Sequence, residues 1–98
     1  MAAHRIKKEI RDSIVAILEK YGAERIAIFG SYARGEAGKK SDIDILVRFA
    51  RPKSLVQLVQ IEDEIAQSLK VPVDLVTEKS VSPYLSSSIH RDEVVIYG

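Results

Sequence analysis

The sequence predicts an α/β or α+β fold, a small mixed β-sheet with helices packed on it. Three observations carry that reading. Two long segments have apolar residues at three-and-four spacing, short β-branched runs lie between and after them, and the order is helix, strand, strand, helix, strand, helix, strand. One domain is expected from 98 residues, enough for one modest core and hardly a second.

From about His4 to Tyr21, Ile6, Ile10, Ile14, Ile17, Leu18 and Tyr21 fall on one stripe of a helix, and Gly22 supplies its stop. Glu24 to Phe29 reads as a strand running into a sharp turn at Gly30. The stretch SYARGEAGKKS has no sustained periodicity, so a brief helical turn after Ser31 and then a mobile loop through Gly38 and Lys40 are expected. A second strand covers Asp42 to Phe49, with Ile43, Ile45 and Val47 on one face and Asp42, Asp44 and Leu46 on the other.

After Pro52, Ser54-Leu55-Val56-Gln57 has the form of a capping box, and Leu55, Leu58, Ile61, Ile65 and Leu69 continue it as an amphipathic helix. Val71 to Thr77 is the third strand. Ser82-Pro83, a cap followed by proline at the first helical position, opens a short helix toward His90, and Val94 to Tyr97 closes the chain as an edge segment.

Composition removes several function classes. With 15 Lys plus Arg against 14 Asp plus Glu the formal charge is +1, which argues against nucleic-acid binding by bulk electrostatics. No cysteine is present, so thiolate metal sites, a cysteine nucleophile and a disulfide scaffold are excluded, and the composition fits a cytoplasmic protein. The N-terminal residues lack the pattern of a secretory signal, and no stretch approaches the roughly 20 apolar residues that span a bilayer. No membrane association is expected.

Chemistry concentrates between Gly30 and Asp44. Gly30 lets the backbone approach a ligand closely. Ser31 would present its hydroxyl and the free N–H groups of a helical turn to a phosphate. Arg34 reads equally as a charged fork on that phosphate or as a structural ion-pair partner for the loop.

Asp42 and Asp44, two apart on a strand, leave the same face with Cα atoms roughly 6.6 Å apart at about 3.3 Å of rise per residue. Magnesium takes hard oxygen ligands, commonly one or two carboxylates plus substrate phosphates. Asp74 lies within the apolar run Val71 to Val76, in what reads as a largely buried strand, and a charge there needs a partner. A metal shared with Asp42 and Asp44 would be one. Were the three strands neighbours, a pair of metal ions about 3.5–4 Å apart could align an attacking hydroxyl and a leaving pyrophosphate. Asp74 is then either a ligand only or also the group that accepts the hydroxyl proton.

Other residues carry weaker signals. Lys39 and Lys40 read as a solvated loop tip that could also close over a nucleotide. Tyr32 suits either base stacking or the core, and His4 and His90 are too isolated to form a metal site. Any surplus of the first helix's apolar stripe beyond what the core needs would be a partner surface.

Gly30-Ser31, ten intervening residues and Asp42-Ile43-Asp44 together resemble the GS-x10-DxD signature of the polymerase β-type nucleotidyltransferase superfamily. The longer string GSYARGEAGKKSDIDILV is similar to the minimal nucleotidyltransferase (MNT) proteins, and the similarity runs over nearly the whole chain. The resemblance implies a polymerase β-like fold, with Gly30 and Ser31 holding the triphosphate of ATP and Asp42, Asp44 and Asp74 forming a Mg²⁺-binding catalytic triad. Larger relatives such as aminoglycoside nucleotidyltransferases add a helical domain for the acceptor, for which this chain is too short, so another chain is expected to supply it.

Relatives of this size often pair with a HEPN-domain ribonuclease toxin and act as its antitoxin by adding AMP to a tyrosine. By that resemblance the expected function is an ATP-using protein adenylyltransferase. The alternatives are a non-catalytic module that neutralises its partner by occlusion, or nucleotidyl transfer to RNA or a small molecule. The sequence leaves monomer and homo-oligomer open.

Overall fold

The structure, a computed structural model, describes residues 6–35 and 42–98, with the side chains of Leu85 and Ser88 excepted. The expected loop tip at Lys39 and Lys40, and His4, lie outside the described residues. In chain order the elements are α1 (Lys8–Lys20), β1 (Ala23–Phe29), α2 (Gly30–Arg34), β2 (Ile43–Phe49), α3 (Leu55–Leu69), β3 (Val73–Thr77), a 3₁₀ turn (Glu78–Ser80), α4 (Pro83–Asp92) and β4 (Val94–Tyr97). The expected fold class is met.

The four strands form one sheet in the order β3-β2-β1-β4. β1 runs antiparallel to both β2 and β4, while β2 and β3 are parallel and joined through α3. The sheet is therefore mixed, and β1, β2 and β3 are neighbours.

Strand alternation sorts the core into two layers. Ile43, Ile45 and Val47 pack with Ile26 and Ile28 of β1, Ile14 and Leu18 of α1, and Ile61 and Ile65 of α3. On the other face Ala27 and Leu46 pack with Ile89 of α4, joined by Phe29, Val76 and Val81. The two faces of β2 fall as its sequence alternation predicts. Asp44 therefore shares its face with Leu46, on the thinner α4 side.

The capping box at α3 is present in full. Gln57 N donates to Ser54 Oγ at 3.1 Å, and Ser54 N donates to Gln57 Oε1 at 2.8 Å. Ser54→Ala is expected to cost about 1 kcal/mol, read as a lower urea midpoint with an unchanged slope. Pro83 does open α4, but Ser82 makes no side-chain cap hydrogen bond.

Several details differ from expectation. α1 begins at Lys8, with Ile6 buried ahead of the first helical turn. β3 begins at Val73, because Pro72 lacks an N–H and can serve the ladder only as acceptor, taking Ile43 N at 3.0 Å. Leu55 is not a core residue: α3 is seated through Ile61 and Ile65, and its first turn projects beyond the sheet with Leu55 exposed.

α1 and α3 are tied by Glu64, which accepts from Lys20 Nζ at 2.6 Å and from Tyr21 Oη at 2.5 Å. These bonds hold the Glu64 carboxyl below its ordinary range. A lowered carboxyl contributes stability above its ordinary pKa and loses it as pH falls through the lowered value. Glu64→Gln should therefore melt below the parent at neutral pH, with the gap closing in scans below about pH 4.

Candidate active site

The candidate residues gather where β1 ends and β2 and β3 begin. β1 stops at Phe29, whose Cα pairs with that of Asp44 on β2, and Asp44 pairs in turn with Asp74 on parallel β3. Strand neighbours are about 4.8 Å apart, so the sheet registers two carboxylates side by side on one face. Asp42 is the residue immediately before β2 and is exposed.

Gly30 follows at once with φ +73°, turning the chain out of β1 into the short helix α2. A Cβ at this position would stand 2.1 Å from Asp44 Oδ2 and 3.1 Å from its Cγ. The Asp44 carboxylate therefore lies directly against the Gly30 backbone. Conformation and space both call for glycine here, and the two halves of the signature, Gly30-Ser31 and Asp42-Ile43-Asp44, meet at this contact. Ser31, half-buried, is in the first turn of α2.

The electrostatics match this crowding. Partial burial raises the Asp44 pKa above the ordinary carboxylate value, the Asp74 and Asp42 carboxylates raise it further, and the Arg34 guanidinium offsets part of the rise. Three acidic groups are close enough to repel one another, an arrangement that gains from a cation.

Asp74 corrects one expectation. The strand that carries it is an edge of the sheet, and its side is open, so Asp74 is exposed rather than buried among apolar neighbours. Its place beside Asp44 comes from strand register, not from a need to neutralise a buried charge.

Among the described residues no group of three His, Cys, Asp or Glu side chains is arranged to hold a metal ion by itself. The donor set still suits magnesium, which takes one or two carboxylates and completes its shell with substrate phosphates and water. Asp44, with its oxygen free of Cβ obstruction at Gly30, and its register neighbour Asp74 are hard donors on one face.

Arg34 bonds Asp92 at the end of α4, Nη1 to Oδ2 at 3.2 Å, so the structural ion-pair reading of Arg34 has a partner while its charge also reaches Asp44. Asp92 went unmarked in the sequence, because a carboxylate closing a surface helix shows no pattern that ties it to a residue 58 positions away. Tyr32 packs against the main core cluster.

A family model described as a nucleotidyltransferase domain matches residues 7–96. This chain belongs to that family. The Thermococcus cleftensis protein adenylyltransferase MntA is 36% identical over 96 residues, covering 98% of this chain and 88% of the relative. A Methanocaldococcus jannaschii protein provisionally named as a protein adenylyltransferase is 42% identical over 92 residues, 93% of this chain and 94% of its own length.

Among solved structures, a toxin–antitoxin with AMP-PNP superposes with TM-score 0.84 at 28% identity, over 90% of this chain and 73% of that one. A complex of tri-AMPylated Shewanella oneidensis HEPN toxin with MNT antitoxin gives 0.76 at 26% identity, over 91% and 70%. The expected recognition as a minimal nucleotidyltransferase holds, and the chain is an enzyme of the nucleotidyltransferase class. No helix among the described residues is long and apolar enough to cross a membrane.

Proposed function

We propose that this nucleotidyltransferase is a Mg²⁺-dependent protein adenylyltransferase that moves AMP from ATP onto a hydroxyl, a tyrosine, of a HEPN-domain toxin and so acts as its antitoxin. The observation that carries the reading is the contact of the Asp44 carboxylate with the Gly30 backbone, with Asp74 in register beside it. It sets a carboxylate pair against the turn suited to a triphosphate.

In this reading Gly30 and Ser31 cradle the phosphates through backbone N–H groups and the Ser31 hydroxyl. Asp42, Asp44 and Asp74 would hold magnesium, which when bound neutralises the triphosphate and the pyrophosphate that leaves. The acceptor oxygen forms the new bond to the α-phosphorus, the bond from that phosphorus to the bridging oxygen breaks, and pyrophosphate departs. Asp74, on the open edge, is positioned to receive the acceptor proton. Arg34, held by Asp92, faces the same charge. The homologous MntA protein and the HEPN–MNT complex supply the partner class.

The test is neutralisation of the toxin in cells by the parent chain and by Asp42→Asn/Asp44→Asn at equal expression. Loss of neutralisation by the variant, with the two proteins still co-purifying, supports catalysis. Full neutralisation by the variant replaces it with occlusion, and AMP recovered on RNA or a small molecule moves the acceptor elsewhere.

A further inference from the structure

A cleft lies at the other end of the sheet, where β2 ends and the 3₁₀ turn follows β3. It encloses about 260 Å³. From Asp44 to Phe49 is about 16 Å along β2, at about 3.3 Å per residue, so this cleft is no part of the carboxylate site. Its wall carries Arg48, Arg51, Lys53 and Lys79 against the one carboxylate of Glu78. In a chain of formal charge +1 this is a concentrated positive patch.

Some of that charge is already engaged. Arg48 pairs with Glu24 at 3.5 Å, and Lys53 lies over the Phe49 ring at 5.4 Å. Arg51 and Lys79 make no ion pair in the described structure.

Directly beside the cleft is the projecting first half of α3. Leu58 lines the cleft, and Leu55 and Val59 lie three residues before it and one after it, so that residues 55, 58 and 59 share one stripe. Leu55, Val56 and Val59 are 77%, 66% and 56% exposed, while the same helix buries Ile61 and Ile65. These aliphatic side chains face water beside unpaired cations.

We propose that this stripe and cleft dock an acidic amphipathic helix of the partner protein, with its apolar residues on Leu55, Val56 and Val59 and its carboxylates on Arg51 and Lys79. Charge complementarity selects the occupant. A second copy of this chain would set the same cations against each other in a two-fold contact. Nucleic acid takes a row of aromatic platforms, and this cleft offers one ring, that of half-buried Phe49, which Lys53 already covers. An anionic lipid surface would also meet exposed Asp63, four residues after Val59 on the same stripe. Docking at this distance holds the partner's body and leaves the carboxylate end open to its acceptor segment.

The proposal takes its partner from the function proposed above. Its test is the Kd between the full chain and its HEPN-domain partner, measured by calorimetry without nucleotide. Leu55→Ser/Val59→Ser and Arg51→Glu/Lys79→Glu should each weaken binding at least roughly tenfold with melting temperature unchanged. Arg51→Lys/Lys79→Arg and Asp42→Asn/Asp44→Asn should bind like the parent. The proposal is overturned by a Kd within about twofold of the parent in both surface variants, or by no binding of the parent itself. It is equally overturned if both charge-reversed and parent chains bind the partner alike while only RNA or anionic vesicles tell them apart. If surface variants weaken binding yet the partner never gains AMP, the docking surface stands and adenylyl transfer falls.

Discussion

Asp42→Asn and Asp44→Asn are each expected to cut AMP transfer roughly 1000-fold, the rate equivalent of about 4 kcal/mol of lost transition-state stabilisation. The loss should come without loss of fold, and its sign can be read from the charges. Asp44 has its pKa raised, chiefly by burial and then by Asp74 and Asp42. A raised carboxyl contributes stability only while protonated, so that contribution disappears as pH rises through the raised value. At neutral pH and without metal the ionised Asp44 therefore burdens the fold. Asp44→Asn should melt at or above the parent in scanning calorimetry with EDTA, while being inactive in a radiolabelled-ATP transfer assay. A variant that is inactive because it has unfolded would contradict the assignment. In the proposed reading function opposes stability, as expected where like charges are collected to meet a cation.

Gly30→Ala should damage both stability and activity. Two effects add. The backbone at φ +73° is one that an L side chain adopts at a cost of about 1–3 kcal/mol. The new Cβ would also stand 2.1 Å from Asp44 Oδ2, forcing that carboxylate away from the turn. Stability should fall by the first amount, and AMP transfer should fall about 100-fold or more from misplacement of Asp44. Gly22 is the control. It too has a positive φ, +87°, yet an added Cβ there meets nothing within 4 Å. Gly22→Ala should show the stability loss, in a urea titration, and keep its activity.

Much of the geometry of this candidate site was legible in the sequence because it is local. Gly30, Ser31, Asp42 and Asp44 lie within fifteen residues, and strand alternation already assigns Asp44 to the face opposite Ile43 and Ile45. Asp74 was legible as a candidate but for an incomplete reason. A run of apolar residues cannot distinguish a central strand from an edge, and strand order places β3 at the edge with Asp74 open. The capping box at Ser54 was legible because both of its bonds join residues three apart.

What the sequence misplaced or did not show is long-range. Leu55 fits the helical stripe, but how far a helix overhangs its sheet depends on the packing of Ile61 and Ile65, which periodicity does not report. The Arg34–Asp92 pair and the cationic cleft join residues brought together only by the fold: the cleft gathers the end of β2, the lead into α3 and the turn after β3.

The most direct measurement of the central claim is intact mass of both proteins after the chain and its HEPN-domain partner are incubated with ATP and Mg²⁺, beside an Asp42→Asn/Asp44→Asn control. The account predicts a partner heavier by whole AMP units with the parent chain and unchanged with the control. An unchanged partner in both samples, in a mixture where the two proteins bind and the toxin is silenced, would contradict it.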